Sequence, residues 1–366
     1  MTRVESPPQE LPRVRELDWL MCSVLCLSCL GLVMAVSVQA FWPEGNALRA
    51  IESQSWKLLA AVVAFLVCAL VPLTALKRYA WGLFFLGTGL IYGAAALGPT
   101  WNGAQRWIAV GGISFQPVEL GRLALVVVTA ALIARAGQRI GEFREGFVAI
   151  LLPGVILAVG LALQPDLGNA LLCLSVVICM ALVAGVGLRW FLAAAIVFIP
   201  ALVSAILARG YAAERVSAFF SADHPYQVKQ SLMAMSSGGI VGRGLGAGWM
   251  KMGFVPEAHN DFVFAIIGEE LGFIGLILVL GLYCLIGYVG LRLVLQIRDP
   301  FCRFIVLGCT MAVCIQAFIN MLVTTGMVPA KGIDLPMVSS GGTNLMASLG
   351  AIGLIGNAAR TDRSTW

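Results

Sequence analysis

The chain has 366 residues, of which 60% are hydrophobic and only 12% are charged, and its mean hydropathy is +0.91. This composition is too apolar for a water-soluble globular domain and is typical of an integral membrane protein. The net charge of +5 does not indicate nucleic-acid binding, because the basic residues are spread over short segments between apolar runs.

Ten apolar runs follow one another along the chain, each near the roughly 20 residues that a helix needs to cross a bilayer. They cover residues 17–40, 57–75, 79–97, 117–136, 146–164, 168–187, 189–208, 262–291, 302–327 and 337–358. Only helices and closed barrels satisfy the backbone in lipid, and the runs lack the alternation of barrel strands. The sequence therefore predicts an all-α polytopic membrane protein of about ten transmembrane helices, with a large extracytoplasmic loop between helices 7 and 8.

The basic residues predict the orientation, because Lys and Arg are enriched in cytoplasmic segments. Fourteen of the 24 Lys and Arg residues fall in segments that are inside when the N-terminus is inside. We expect a protein of the bacterial cytoplasmic membrane with both termini cytoplasmic. The predicted parts are an N-terminal tail (1–16), a single transmembrane domain (17–358) with a periplasmic loop (209–260), and a C-terminal tail (359–366). The tail 1–16 is acidic as well as basic, unlike the start of a cleaved signal peptide.

The ten cysteines lie within or at the edges of apolar runs, so we interpret them as small apolar helix residues and predict neither a disulfide framework nor a metal site. His224 and His259 are the only histidines, and two do not make a convincing zinc site.

The predicted loop 209–260 is longer than a connection between two helices requires, and such loops are usually functional or disordered. Its aromatic and apolar residues argue against disorder. They are Tyr211, Phe219, Phe220, Tyr226, Trp249, Met250 and Phe254. We expect this loop to lie along the membrane surface and to pack there.

Ionisable residues inside predicted spans are costly in lipid and indicate function. Glu119 and Arg122 are three residues apart, so they share one helical face and can pair; a purely structural ion pair is the alternative. Asp166 follows Pro165 at a predicted helix start, where a carboxylate also caps exposed amides. Capping alone is the alternative role for Asp166.

The densest polar cluster, residues 256–261, leads into the eighth predicted span. We expect Asp261 at the outer end of that helix, where partial burial and neighbours such as His259 adjust its pKa for a general base. An N-cap is the alternative, and the two roles are compatible. Glu269 and Glu270 lie further along on adjacent helix faces, so at least one must face a partner or a cavity.

Two glycine-rich stretches, 236–248 and 339–342, lie in predicted outer segments. The first is not a dinucleotide-binding loop, because no strand precedes it. Glycines beside basic residues let backbone amides and cations approach a diphosphate. The basic residues in question are Arg215, Lys229, Arg243 and Lys251. Re-entrant packing against neighbouring helices is the alternative.

A series of motifs between residues 102 and 342 resembles the SEDS family (shape, elongation, division and sporulation). The motifs are residues 102–108, 115–119, 164–168, 226–231, 237–246 and, most specifically, 256–272. The resemblance to the division branch is stronger than that to the elongation branch. The resemblance implies that Asp261 is the catalytic residue and that Glu119, Arg122, Asp166 and His259 are supporting residues of the site. The expected substrate-binding residues are Arg106, Gln116, Arg215, Tyr226, Gln227, Lys229, Gln230, Ser237, Gly238, Gly239, Arg243, Lys251, Lys331, Ser339 and Gly341.

The resemblance implies a peptidoglycan glycosyltransferase that polymerises lipid II, the undecaprenyl-diphosphate-linked disaccharide pentapeptide. It implies a class B penicillin-binding protein (FtsI-like) and other divisome proteins as partners, besides membrane lipid. Three positions depart from the family pattern: Arg122 stands where lysine is common, Asn260 where threonine is common, and Ser340 where tyrosine is common. Arginine keeps the charge of lysine but changes its shape and hydrogen bonding.

We expect Asp261 to take the proton of the acceptor sugar's 4-hydroxyl while undecaprenyl diphosphate leaves, which inverts the anomeric carbon. Cations would stabilise the leaving group. The candidates, in decreasing order, are Arg106, Arg215, Lys229, Arg243 and Lys251. A divalent cation, Mg²⁺ or Mn²⁺, held by carboxylates is a further candidate, although no motif specifies one. A lipid II flippase that uses intramembrane charges as a polar path, and a scaffold that only recruits the crosslinking enzyme, are the alternatives.

Overall fold

The computed structural model describes residues 12–39, 47–100, 104–111, 113–208, 225–329 and 331–361. Ten long helices lie in these ranges, one at each predicted span. They are α1 (Pro12–Gln39), α2 (Ala47–Leu70), α4 (Ala80–Leu97), α5 (Pro117–Ala136), α6 (Ala149–Leu163), α7 (Leu167–Ala184), α8 (Leu188–Ala208), α10 (Val263–Gln296), α11 (Pro300–Thr324) and α12 (Gly342–Thr361). Shorter elements are α3 (Leu73–Arg78), α9 (Tyr226–Gly238), a 3₁₀ turn (Gly137–Gly141), a π-helical turn (Phe143–Val148) and an antiparallel hairpin of β1 (Ile108–Val110) and β2 (Ile113–Phe115).

In the described ranges, eight of the helices are long and apolar enough to cross a membrane. The other two long helices, α8 and α12, occupy the seventh and tenth predicted spans. The all-α polytopic fold is thus confirmed. The predicted boundaries of the second span, 57–75, were wrong: α2 begins ten residues earlier, at Ala47, and ends five residues earlier, at Leu70.

Helix ends follow local capping chemistry. The Asp166 carboxylate accepts from the Asn169 amide at the start of α7, and the Asp299 carboxylate accepts from the Cys302 amide at the start of α11. α7 ends at Gly185, whose φ of 97° is left-handed. The predicted capping role of Asp166 is confirmed.

The centre of the bundle is formed by α5 and α11, whose apolar spans are each 72% buried. α12 packs most extensively against α2, and neighbouring segments bind several of its polar side chains: Asn357 Nδ2 donates to the carbonyls of Cys68 (3.0 Å) and Val71 (2.7 Å), and Asn344 Oδ1 accepts from Gln316 Nε2 (3.0 Å). These polar residues lower the hydropathy of α12, and hydrogen bonds to neighbouring helices reduce the cost of placing them in a membrane.

α10 is broken at Gly272, where φ is 69° and ψ is −165°. The segment that follows α9 packs into this break: Phe273 and Ile274 donate their amides to the carbonyls of Gly239 (2.9 Å) and Ile240 (3.2 Å). A Cβ at Gly272 would lie 2.5 Å from the Ile240 carbonyl oxygen, so only glycine fits. The predicted alternative of re-entrant packing is therefore observed.

Candidate active site

The polar groups of the site come from two loop segments, one directly before α10 and one directly before α12, which meet beside α11. Asn320 Nδ2 of α11 donates to the carbonyls of Asp261 and Ile333, each at 2.7 Å. Gln316 Nε2, one helical turn earlier, donates to the carbonyl of Asp334 at 2.9 Å. Residues four apart share one helical face, so a single face of α11 fixes both segments.

The two loop segments are also joined to each other. Ser339 Oγ donates to the Asn260 carbonyl (2.6 Å) and accepts from the Leu335 amide (2.8 Å). Ser340 Oγ donates to Asn260 Oδ1 (2.9 Å), and its amide donates to the His259 carbonyl (3.0 Å). Asn260 and Ser340 are two of the departures from the family pattern, and they are hydrogen-bonded to one another.

The Asp261 side chain is hydrogen-bonded to the side chain of Asp334. Burial, then the Asp334 carboxyl and Glu257, raise the pKa of Asp261 well above its usual range, against the positive charge of Arg106. Burial and the charge of Glu119 raise the pKa of Asp334 to about 7, against its hydrogen bond with Asp261. The site therefore contains a carboxyl pair in which both members hold their protons more tightly than an exposed aspartate.

Asp261 is not the N-cap of α10. The helix begins at Val263, and the capping position is Phe262, which makes no side-chain capping bond. The predicted capping alternative is therefore wrong. His259 is half-buried, and burial, together with the positive charge of Lys57, lowers its pKa despite the opposing effect of Glu257.

Two residues of this cluster were not predicted: Asp334 and Lys57. Lys57 Nζ donates to the Ser340 carbonyl at 2.9 Å, and its Cγ lies 3.2 Å from where a Cβ at Gly342 would stand. The predicted second span began at Lys57 itself, whereas this residue lies well inside α2. With the correct boundary, Lys57 would have been recognised as a charged residue inside a span, and such residues indicate function because they are costly in lipid.

Arg106 and Asp166 form a second part of the site. The Arg106 guanidinium donates to the Pro165 carbonyl (2.7 Å) and lies 3.8 Å from Asp166 Oδ2, with 30% of its side chain exposed. Gln164 Nε2 anchors this turn by donating to the Ile91 carbonyl (2.6 Å). Arg106 is thus both held in place and accessible, as a ligand for an anion must be.

Glu119 and Arg122 form the predicted ion pair on α5, and both are buried. Charge interactions connect this pair with Asp166 and Asp334. The structure therefore brings the supporting residues Glu119, Arg122 and Asp166 into one charged cluster with the aspartate pair.

Lys251, a predicted diphosphate ligand, lies outside the charged cluster around the aspartate pair. Its ammonium donates to Glu270 Oε1 (2.6 Å), Ser37 Oγ (2.7 Å) and the Gly246 carbonyl (2.8 Å), and neither Lys251 nor Glu270 is exposed. An ammonium has three N–H donors, so no donor remains for a diphosphate. Lys251 is therefore removed from the candidate ligands.

Glu269 and Glu270 both accept hydrogen bonds, so the prediction that at least one of them faces a partner is confirmed. Glu269 Oε1 accepts from the Trp249 amide (2.8 Å), and Glu270 Oε2 accepts from the Gly246 amide (3.0 Å). The amides of Arg243 and Gly244 are bound to backbone carbonyls of α10, each at 3.0 Å. These amides of the glycine-rich segment therefore hold the loop on α10.

The remaining predicted ligands are spread over the outer segments. Arg243 is exposed and donates from Nε to the Ser237 carbonyl (3.2 Å), while Gly238 is buried against the Gly268 carbonyl. The exposed residues are Tyr226, Lys229 and Gly239, and the half-buried ones are Gln116, Gln227, Gln230, Ser237, Lys331 and Gly341.

Predictions for Arg215, Asn102, Gly103 and His224, and for the loop residues Tyr211, Phe219 and Phe220, fall outside the described residues. Trp249 and Phe254, predicted to lie at the membrane surface, are both exposed.

Within the described ranges, no group of three or more His, Cys, Asp and Glu side chains is arranged to hold a metal ion. The divalent cation therefore has no ligand set among these residues, and it stays a prediction.

A family model described as "Cell cycle protein", which covers FtsW, RodA and SpoVE, matches residues 18–364. The chain belongs to this family. The match confirms the SEDS resemblance, and the likeness to the division branch is supported by relatives named FtsW.

One such relative, "Probable peptidoglycan glycosyltransferase FtsW" of Geobacter sp. (strain M18), is 35% identical over 352 residues, which cover 93% of this chain and 95% of the relative. A solved structure described as "Structural coordination of polymerization and crosslinking by a peptidoglycan synthase complex" is 26% identical, with a TM-score of 0.79, and covers 94% of this chain and 97% of its own. The rod shape determining protein RodA of Thermus thermophilus is also 26% identical, with a TM-score of 0.69, over 93% and 95% of the two chains.

Proposed function

We propose that the chain is an inverting peptidoglycan glycosyltransferase that polymerises lipid II into β-1,4 glycan strands for septal wall synthesis, with Asp261 as general base. Family membership supports the reaction class, since relatives carry the name peptidoglycan glycosyltransferase. The single observation that supports the role of Asp261 is its carboxyl, which is paired with that of Asp334 and interacts with the charge of Arg106, on a residue whose backbone carbonyl is held by α11. A carboxyl with a raised pKa is a stronger base than an ordinary aspartate.

In the proposed step, the Asp261–Asp334 pair takes the proton of the acceptor's 4-hydroxyl. The oxygen forms a bond to the anomeric carbon of the growing chain, and the bond from that carbon to undecaprenyl diphosphate breaks. The diphosphate leaves with the electron pair, so its negative charge increases as the pair becomes neutral. One displacement inverts the α-linked donor into a β-linked product.

Stabilising the leaving diphosphate requires positive charge that is already in place. Arg106 fits best, because its backbone partners fix the guanidinium while part of it stays exposed. Lys229 and Arg243 are exposed, and we propose them as weaker contributors. A divalent cation would add to this stabilisation, and loss of activity on chelation that only Mg²⁺ or Mn²⁺ restores would support it.

We further propose a class B penicillin-binding protein as partner, with both termini cytoplasmic and the site at the outer face of the membrane. The solved relative described as coordinating polymerisation and crosslinking supports the partner. Reporter tags at residues 145 and 243 should then label from opposite sides of the membrane.

The test is polymerisation of labelled lipid II by the purified protein with its partner, comparing wild type with Asp261→Asn. We expect at least a ~100-fold lower rate, within the usual range for loss of a general base. Glu257→Gln is the matched control: its side chain is 45% exposed and lies four residues away, and it should keep its rate within about threefold.

If Asp261→Asn polymerises at the wild-type rate, the proposed role fails. Loss of transbilayer lipid II movement with intact polymerisation would identify a flippase. Normal partner recruitment with no polymerisation by the wild type would identify a scaffold.

A further inference from the structure

We propose that Asp334 is a positioning residue that shares one proton with Asp261, so that the base of the glycosyl transfer is a singly charged carboxyl pair. This inference rests on the proposed role of Asp261. It assigns a function to a residue that neither the motifs nor the sequence patterns indicated.

The geometry of the pair is fixed from several sides. Gln316 and Asn320 hold the two aspartate backbones from one face of α11. Each carboxyl also lies close to a glycine backbone, where a larger residue would displace it: a Cβ at Gly332 would lie 2.9 Å from Asp261 Oδ2, and a Cβ at Gly341 would overlap Asp334 Oδ2. Two carboxyl groups kept in hydrogen-bond contact cannot both be ionised at low cost, so one proton stays between them.

The charges around the pair favour the same state. The charged or titratable groups that face it are Lys57 of α2, Arg106 before β1, Glu119 and Arg122 of α5, and Glu257 and His259 before α10. Burial, then Glu119 and Glu257, raise the pKa of Asp334, and burial, then Asp334 and Glu257, raise that of Asp261. The basic groups Arg106 and Arg122 act in the opposite direction, which keeps one negative charge on the pair near neutral pH.

The shared proton has a chemical consequence. In the resting pair, the protonated carboxyl donates to the ionised one and orients it. The acceptor hydroxyl then gives its proton to the ionised oxygen, and the pair becomes neutral with two protons. One of them passes to water before the next addition. If the shared proton were lost first, the pair would carry two negative charges and repel the anionic diphosphate substrate.

The pair as a whole titrates in two steps, and kcat/KM reports ionisations of the free enzyme. We therefore expect a bell-shaped kcat/KM profile for polymerisation, with the loss of the first proton from the pair as the acidic limb and the loss of the second as the alkaline limb. Asp334→Asn mimics the protonated carboxyl. Its kcat/KM profile should keep the acidic limb and lose the alkaline limb, because the amide donates a hydrogen bond but cannot lose a proton in this range.

Asp334→Ala is the second variant. It removes the hydrogen bond that stabilises the singly charged pair, so the acidic limb should move to higher pH and the rate at neutral pH should fall about tenfold or more. Glu257→Gln removes an exposed charge that raises the pKa of both aspartates, so its profile should keep both limbs and move them together to lower pH. Thermal melting of each variant checks that the fold is intact.

The outcomes separate this inference from the proposed function. If Asp261→Asn stays active, the role of Asp261 fails. If Asp261→Asn is inactive while the profiles of wild type, Asp334→Asn and Asp334→Ala differ only in height, Asp334 has a structural role and the inference is overturned. Loss of the alkaline limb in both Asp334 variants, with the acidic limb displaced in Asp334→Ala, supports it.

Discussion

Replacing Lys251 by methionine tests the buried ion pair that holds the outer loop on α10. Methionine keeps the length and apolar stem of lysine but removes its charge and its three donors. Glu270 would then stay buried with the Gly246 amide and the Ser37 hydroxyl as its remaining partners. Removing one member of a buried pair costs about 3–5 kcal/mol, because the other charge is left uncompensated. We expect a loss of stability of that size.

The matched control is Arg139→Met. Arg139 and Glu145 form an ion pair of nearly the same length, 2.7 Å against 2.6 Å, but their side chains are 65% and 40% exposed. Exposed pairs contribute about 0–1 kcal/mol, so this variant should melt close to wild type. The double variant Lys251→Met with Glu270→Gln removes both charges and should recover much of the loss, with a coupling of about 1 kcal/mol or more.

Unfolding in detergent, followed by intrinsic fluorescence, measures these differences. Limited proteolysis between residues 239 and 262 adds a local readout, since the loop should be cleaved faster in Lys251→Met. If Lys251→Met and Arg139→Met destabilise equally, or if the double variant is as unstable as the sum of its parts, the pair does not hold the loop.

Three further predictions follow from single contacts. Asp166→Ala removes the cap of α7 and should lower the free energy of unfolding by about 1 kcal/mol, measurable by melting. It also removes the carboxylate beside Arg106, so polymerisation should weaken, measurable as a higher KM for lipid II. Gly272→Ala should prevent folding of the outer loop, because its Cβ meets the Ile240 carbonyl at 2.5 Å and φ is 69°; failure of the protein to elute as a monodisperse species would show this, and normal elution would contradict it. Asp334→Asn should melt higher than wild type at pH 8 but not at pH 4. The pKa of Asp334 is about 7 in the folded protein, against 3.8 for an ordinary aspartate, so the wild type loses stability as pH rises between these values, by about 4 kcal/mol at most. The same melting difference between Asp334→Asn and wild type at pH 8 and at pH 4 would refute this prediction.

The spans and local pairs could be predicted because their causes are local. The apolar runs specify helices through the cost of an unsatisfied backbone in lipid, and the Glu119–Arg122 pair follows from helical spacing. The cap at Asp166 also depends on neighbours within one turn.

The site residues that were missed depend on contacts between distant segments. Asp261 and Asp334 are joined across more than seventy positions, and nothing in either segment shows that they will meet. Lys251 was misplaced for the same reason, because its burial depends on the break of α10 at Gly272 and on Ser37 of α1. Composition could only suggest that a lysine in a polar loop is exposed.

The proposed general base is positioned by a helix other than the one that follows it. Asp261 precedes α10 without capping it. Its carbonyl is instead held by Asn320 of α11, at the centre of the bundle, and the same amide holds Ile333 beside Asp334. Residues 243–250, in the earlier part of the same loop, are held by a different helix, through Glu269 and Glu270 at the break of α10. The two parts of the loop between α9 and α10 are therefore fixed by different helices, residues 243–250 by α10 and Asp261 by α11.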